Sequence, residues 1–303
     1  MSHIRLTQEF RNDGFSHGEL ARLSRSESIV RVRRGAYGEP PSHELDARDT
    51  HRRLIAGTVP QLGAGAVLSH GSAAVLHGLP VWPDQLTQVH ITRSRAGGGR
   101  RRRYVHVHGH PLAPGDTVSV DGLLVTSLAR TIVDLACGES FARAVAAGDA
   151  ALRRGLSDRA LAVQLERAGR RTGVVAARRV VPFLDRRSES PGESESRAVL
   201  HEQGAPRPEL QYEVYDRQGG FVARTDFGWP ELRTIGEFDG RVKYGRALRT
   251  GQDLEEVLFN EKVREDALRD CGWQVVRWTS TDLRQPQALV ARLTRAFARG
   301  RIR

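Results

Sequence analysis

The stretch FVARTDFGWPELRTIGEFDG, residues 221–240, decides the fold of the C-terminal third of the chain. Its runs 221–227 and 233–239 contain mixed apolar and polar residues, and Pro230 interrupts them, so we predict two strands joined by a turn. A further run, 211–215, precedes them and also predicts a strand. These signals together predict an antiparallel meander that follows one helix.

Three acidic side chains lie in that meander. Asp226 ends one strand, and Glu237 and Asp239, two residues apart, share a face of the next. Because neighbouring strands are about 4.8 Å apart, Asp226 can come close to Glu237. Like charges at that distance are costly unless a cation lies between them. We therefore predict that Asp226 and Glu237 bind Mg²⁺ or Mn²⁺, which would activate water for attack on a phosphodiester; a solvated strand end without an ion is the alternative.

The chain has 45 Arg but only two Lys, and both Lys follow the acidic residues. Lys243 comes four residues after Asp239, and Lys262 lies in a predicted helix. An ammonium there could orient the attacking water or neutralise charge on the phosphate. Alternatively, Lys262 pairs with Asp266 at i,i+4 on a solvated helix.

The first forty residues carry the pattern of two helices and a basic ribbon. Ser16 and Glu19 have the spacing of a capping box. Residues 29–38 alternate apolar and basic side chains and end at a glycine, which predicts one strand with an arginine face. This layout is typical of a winged helix-turn-helix, whose wing would contact DNA phosphates. A small helical hairpin with a solvated edge strand is the alternative. The wing residues would be Arg31, Arg33 and Arg34.

Residues 41–187 predict a domain of mixed helices and strands with two further features. Four consecutive arginines next to three glycines form either a solvated hairpin tip or a phosphate clamp. His106, His108 and His110 alternate on one strand and could bind a metal, although no nearby cysteine or pair of acids completes a site. The four arginines are Arg100, Arg101, Arg102 and Arg103.

Charge and cysteine content limit the classes of protein. The 303 residues have a formal net charge of +11, and the excess lies in residues 1–187, which have 28 basic and 17 acidic side chains against 19 of each afterwards. Such a field favours DNA or an anionic membrane as partner. Two isolated cysteines, Cys137 and Cys271, suggest a reducing cytoplasm. Residues 54–83 lack charge but contain five Gly and three Pro, so we expect no membrane segment.

The N-terminal part resembles AbiEi-type antitoxins, the winged-helix regulators of type IV toxin–antitoxin systems. The likeness covers about residues 1–180 and rests on residues 29–38, 68–79 and 125–136. It implies a DNA-binding module and a toxin protein as a partner. It implies no catalysis by the Ser-His-Gly-Ser residues 69–72.

The C-terminal third resembles the PD-(D/E)XK nuclease superfamily, in its branch related to very-short-patch-repair endonucleases. The matching pieces include residues 224–227, 237–240 and 261–277. The resemblance implies that Glu193 is the acid of the first helix and that Asp226 and Glu237 are the metal ligands. The chain departs from the superfamily pattern in one motif. Where the superfamily has acid-x-Lys, residues 237–239 of this chain are Glu-x-Asp.

We therefore expect a cytoplasmic protein of mixed α/β class. A winged helix-turn-helix would span residues 1–40, an antitoxin-like α/β domain 41–187, and a restriction-endonuclease-like mixed sheet flanked by helices 188–303. The basic part would hold DNA and the neutral part would act on it.

The leading functional hypothesis is a Mg²⁺-dependent DNA endonuclease. Glu193 and Asp239 would assist the two metal ligands, and Lys243 or Lys262 would aid the nucleophile. An antitoxin-type transcriptional regulator with a degenerate nuclease-like domain is the alternative. A nucleic-acid-binding scaffold for a toxin is a third hypothesis.

Overall fold

The protein is described by a computed structural model that covers residues 4–94, 98–240 and 254–301. Helices and strands alternate along the chain, and the sheets contain both parallel and antiparallel pairs. This arrangement confirms the mixed α/β class. Lys243 lies outside the described residues, so its predicted role stays a prediction.

The chain divides into two compact units. The first unit comprises residues 1–138 and 156–178, and the second comprises 139–155 and 179–303. The sequence predicts the main boundary after residue 187, whereas the backbone contacts assign a helix that precedes this point to the second unit.

The N-terminal part of the first unit contains two short helices and a small antiparallel sheet. The expected capping box is present, because Ser16 Oγ accepts from the backbone N of Glu19 at 3.2 Å and the Glu19 carboxylate accepts from the backbone N of Ser16 at 2.7 Å. The single strand expected over residues 29–38 is wrong: Gly35, with φ of 84°, turns the chain into a hairpin. The elements are β1 (Ile4–Leu6), α1 (Thr7–Asn12), α2 (His17–Arg25), β2 (Val30–Arg33) and β3 (Ala36–Gly38).

A larger mixed sheet forms the rest of the first unit. Its strands are β4 (Val67–Leu68), β5 (Val89–Arg93), β6 (Arg100–Arg101), β7 (Val105–Gly109), β8 (Thr117–Val120) and β9 (Leu123–Thr126). The helices are α3 (Ala47–Thr58), α4 (His70–Leu76), α5 (Leu128–Gly138), α7 (Asp158–Arg167) and α8 (Val174–Val180), while α6 (Phe141–Arg153) belongs to the second unit. The strand order is β6-β7-β5-β4-β9-β8.

Alternation along β5 and β7 separates an apolar face from a histidine face. Val89, Ile91 and Val105 are buried in the apolar core that also contains Ile55 of α3. The residues between them project to the opposite side of the sheet. This side therefore receives the histidines of both strands.

The second unit is a mixed sheet with helices on both faces. Its strand order is β10-β11-β12-β13; β10 to β12 form the expected antiparallel meander, and β13 is parallel to β12. The elements are α9 (Pro191–Glu202), β10 (Glu209–Tyr215), β11 (Phe221–Trp229), β12 (Thr234–Phe238), α10 (Leu254–Asp270), β13 (Gln274–Trp278), α11 (Ser280–Leu283) and α12 (Pro286–Arg301).

Two apolar clusters hold this sheet between its helices. Phe227 and Trp278 pack on one side with Leu200 of α9 and Leu293 of α12. Ile235 packs on the other side with Leu268 of α10, in a separate cluster. The carboxyl end of β12 is thereby fixed between α9, α10 and β13, where the predicted acidic site lies.

Candidate functional site

The hairpin of β2 and β3 carries the predicted wing arginines. Arg31 and Arg34 are exposed. Arg33 instead donates from Nη1 to Oγ1 of Thr58 at 3.0 Å, and its guanidinium carbon lies 5.0 Å from the centroid of the Tyr104 ring. Burial lowers the pKa of Arg33. The hairpin therefore presents Arg31 and Arg34 to solvent, while Arg33 attaches the hairpin to α3.

Helix α2 adds two exposed arginines that the sequence-based prediction omitted. Leu20 is 2% exposed and faces the protein, whereas Arg22 and Arg25 are exposed. The helical period could have identified them, because residues two and five positions after an inward-facing leucine point away from it at 3.6 residues per turn. Four exposed arginines thus lie on α2 and the hairpin that follows it, namely Arg22, Arg25, Arg31 and Arg34; we call this set the helix–wing surface.

The four consecutive arginines of the middle region are all exposed. Arg100 and Arg101 form β6, which pairs with β7 as the edge of the larger sheet. Arg103 lies with its guanidinium carbon 5.2 Å from the Tyr104 ring centroid. This placement agrees with a solvated hairpin edge and leaves a phosphate clamp as a prediction for Arg100, Arg101, Arg102 and Arg103.

Asp226 and Glu237 lie at neighbouring points of β11 and β12. The strands pair Phe227 with Gly236, and one Oδ of Asp226 accepts from the backbone N of Phe238 at 2.8 Å. The Asp226 carboxylate therefore lies against the strand of Glu237, as the meander predicts.

Two arginines neutralise Glu237, which is 7% exposed. Its Oε1 lies 2.7 Å from Nη2 of Arg264 in α10, and its Oε2 lies 3.0 Å from Nε of Arg277 in β13. Arg277 also reaches Glu265, with Nε to Oε2 at 3.4 Å. Among the described residues, the cationic partners of this buried carboxylate are thus the guanidinium groups of Arg264 and Arg277. A divalent ion at Glu237 would have to compete with both of them.

The structure also describes three further predicted members of the acidic site, Glu193, Asp239 and Lys262. Glu193, at the start of α9, accepts at Oε2 from the backbone N of Glu189 at 2.7 Å and from Nε2 of Gln211 at 2.9 Å. Asp239 donates its backbone N to the carbonyl of Trp278 at 2.7 Å. Lys262 is exposed on α10.

Across the described residues, three carboxylates do not gather within ligand distance of one another. Within the part of the chain that the structure describes, the one group of at least three acidic, histidine or cysteine side chains that does so is His70, His90 and His108, with ligand atoms all within 4.8 Å. Asp226 and Glu237 are the two predicted ligands that the structure places on neighbouring strands, and the magnesium site stays a prediction. The expected trio of His106, His108 and His110 is not this group, because His70 and His90 come from other segments.

Comparison with known proteins gives relatives of nearly full length. "Uncharacterized protein MT2308" and "Uncharacterized protein Rv2248", from the CDC 1551 / Oshkosh and H37Rv strains of Mycobacterium tuberculosis, are each 35% identical over 291 residues. The alignment covers 92% of this chain and 99% of each relative. The chain belongs to the family of these proteins. No family model matches it.

A solved structure is more distantly similar to the chain. The RV2827C protein from Mycobacterium tuberculosis has 18% identity and a TM-score of 0.41, over 70% of this chain and 83% of that one. This similarity is too low to support an argument about function. Separately, helices in the described residues are too short or too polar to cross a membrane.

Proposed function

We propose that this protein is a DNA-binding regulator whose first unit contacts DNA through the helix–wing surface. The carrying observation is the exposure of Arg22 and Arg25 on α2 together with Arg31 and Arg34 on the adjoining hairpin. In winged helix-turn-helix proteins the second helix enters the major groove and the wing contacts phosphates. The charge excess of residues 1–187 supports the same partner.

Fluorescence anisotropy with labelled duplex DNA tests this proposal. We expect the double variant Arg31→Glu/Arg34→Glu to bind more weakly than the wild type at every salt concentration. The slope of log affinity against log salt should fall by about one for each phosphate that the variant no longer neutralises. The matched control is Arg159→Glu/Arg170→Glu, which makes the same charge change at exposed positions of the first unit. Equal weakening in both double variants would show that the loss of affinity comes from the change in net charge alone. That result would refute DNA binding through the helix–wing surface.

In the regulator hypothesis, the nuclease-like domain of the second unit is a degenerate interaction module that does not cleave DNA. Glu237 is already bound by two guanidinium groups, which supports this assignment. A toxin protein as partner follows only from the resemblance to antitoxins and forms part of the proposal. Specific binding to the promoter of its own gene, unchanged by Asp226→Ala, is the expected result in a gel-shift assay.

A DNA endonuclease is the second candidate function, favoured by the contact between the Asp226 carboxylate and the strand of Glu237. Mg²⁺ commonly binds proteins through one or two carboxylates and completes its shell with water and substrate phosphate. Calorimetric titration of Mn²⁺ into the wild type and Asp226→Ala tests for the ion, and incubation with supercoiled DNA tests for cleavage. Metal-dependent nicking that Asp226→Ala abolishes would replace the regulator hypothesis by this one.

Arg264, which would compete with a metal ion for the Glu237 carboxylate, provides a sharper test of the same site. If Asp226 and Glu237 bind Mn²⁺, Arg264→Met should strengthen binding, because it removes a cation 2.7 Å from the Glu237 carboxylate. Arg295→Met is the matched control in the same unit, since Arg295 is exposed on α12. Unchanged Mn²⁺ affinity in both variants would argue against an ion at Glu237.

A further inference from the structure

Four histidine rings collect on one side of the larger sheet of the first unit. His90 projects from β5, and His106 and His108 from β7, where the parallel pairing sets His90 opposite His106. His70 joins them from the first position of α4. The rings of His70 and His108 stack with centroids 3.6 Å apart, and those of His106 and His108 are 4.0 Å apart.

We propose that His70, His90 and His108 form a binding site for a single zinc-type transition-metal ion. Their ligand atoms all lie within 4.8 Å of one another. Nδ1 of His90 and Nε2 of His108 are 3.1 Å apart. Two nitrogens bound to one tetrahedral Zn²⁺ at 2.0–2.1 Å would be about 3.3 Å apart, so this pair has nearly the required spacing.

The three histidine nitrogens determine which metal ions the site can bind. Neutral imidazole suits Zn²⁺, Cu²⁺ and Ni²⁺, whereas Mg²⁺ and Ca²⁺ prefer oxygen. Three protein ligands leave a fourth position for water or another ligand.

The surroundings of His70 provide support for a ligand ring. Nδ1 of His70 lies 3.0 Å from Oγ of Ser69 and 4.0 Å from Oδ2 of Asp134, so Nε2 is the nitrogen we assign to the metal. Because the His70 ring stacks on His108 at an interplanar angle of 14°, it would have to turn out of this stack to share an ion with His108. Oδ2 of Asp134 is buried without a hydrogen-bond partner, while Oδ1 binds Arg130 and Arg171. A carboxylate next to a ligating histidine is the common outer shell of zinc sites.

The backbone conformation of His70 also supports the proposed site. Its φ is 49°, a left-handed value that is uncommon for residues other than glycine. Such conformations are retained where the surrounding structure fixes them, often at functional sites. Here the turn between β4 and α4 directs the ring onto His108.

Calorimetric titration of Zn²⁺ alone into the chelator-treated full chain tests this site. We expect one ion per chain in the wild type. His90→Ala and His108→Ala should each lose more affinity than the roughly 10–100-fold that removal of an outer-shell partner costs. Ser69→Ala should lose about 10-fold, since it removes only the support of His70. His43→Ala, an exposed histidine of the same unit, should bind like the wild type.

The visible absorption spectrum of Co²⁺ bound to the wild-type protein tests the site without any variant, so the test does not depend on whether the variants fold. Intense visible bands of tetrahedral Co²⁺, displaced by one equivalent of Zn²⁺, are the expected result. Absence of these bands, or Zn²⁺ binding that His90→Ala and His108→Ala leave intact, would show that the rings form only a stacked and hydrogen-bonded histidine cluster. Circular dichroism identifies the folded variants. The outcome is independent of DNA binding, so the regulator proposal can fail while the metal site stands.

Discussion

Replacing Arg197 by Met should destabilise the second unit by about 3–5 kcal/mol, because it leaves a buried carboxylate without its cation. Arg197 of α9 binds Asp149 of α6, with Nη2 to Oδ2 at 2.8 Å, and the two side chains are 6% and 0% exposed. Oδ1 of Asp149 also accepts from the backbone N of Asp185 at 2.7 Å. This one backbone contact cannot replace the missing charge.

The pH dependence of this loss follows from the pKa of Asp149. Burial is the main cause that raises this pKa, and Arg197 is the main one that lowers it. Without Arg197 the pKa rises further above the unfolded value, so the folded state binds a proton more readily than the unfolded state. The stability lost in the variant should therefore be greatest near pH 8 and smaller near about pH 5.

Urea unfolding of the full chain, followed by tryptophan fluorescence, measures the effect. The signal reports mainly on the second unit, in which three of the four tryptophans are buried: Trp229, Trp273 and Trp278. Arg187→Met is the matched control, because Arg187 is 57% exposed and its pair with Asp185 should contribute less than about 1 kcal/mol. The double variant Asp149→Asn/Arg197→Met should recover part of the loss. An Arg197→Met loss no larger than that of the control, or equal at both pH values, would refute the reasoning.

Other substitutions test local features of both units. Ser16→Ala removes the N-cap of α2 and should cost about 1 kcal/mol, measured as a lower thermal midpoint of the first unit. Gly173→Ala should cost more than about 1 kcal/mol, since φ is 82° and a Cβ would overlap a neighbouring backbone carbonyl; Gly138→Ala, where a Cβ meets open space, should be tolerated. Ser196→Val leaves the buried Nε1 of Trp278 without its acceptor at 2.7 Å and should cost about 1–3 kcal/mol in urea unfolding. Unchanged stability in Ser16→Ala, Gly173→Ala or Ser196→Val, or a clear loss in Gly138→Ala, would contradict the local geometry.

Local signals predicted the elements of the fold better than their ends. Ser16 and Glu19 identify α2 because a capping box acts within four residues. The meander of 209–238 follows from alternating runs and the interruption at Pro230. The alternation over 29–38 predicts one strand, whereas the structure has two, because Gly35 in the left-handed region turns the chain into a hairpin.

The partners of the candidate site depend on long-range contacts and could not be predicted from spacing. The charge of Glu237 is balanced by Arg264 and Arg277, which follow it by 27 and 40 residues on another helix and strand. The histidine group likewise joins three segments through the pairing of β5 and β7. The spacing of Asp226 and Glu237 indicates that they need a cation, but the nearby guanidinium groups become visible only with the fold.

The assignment of α6 to the second unit has a practical consequence for dissecting the protein. The chain passes between the units after residues 138, 155 and 178. A fragment that starts at residue 188 would therefore lack α6 and with it Asp149, which forms the buried ion pair with Arg197 of α9. Neither unit can be excised as one continuous piece without losing a segment or retaining part of the other, so truncation mapping of activity will require circular permutation or grafted linkers.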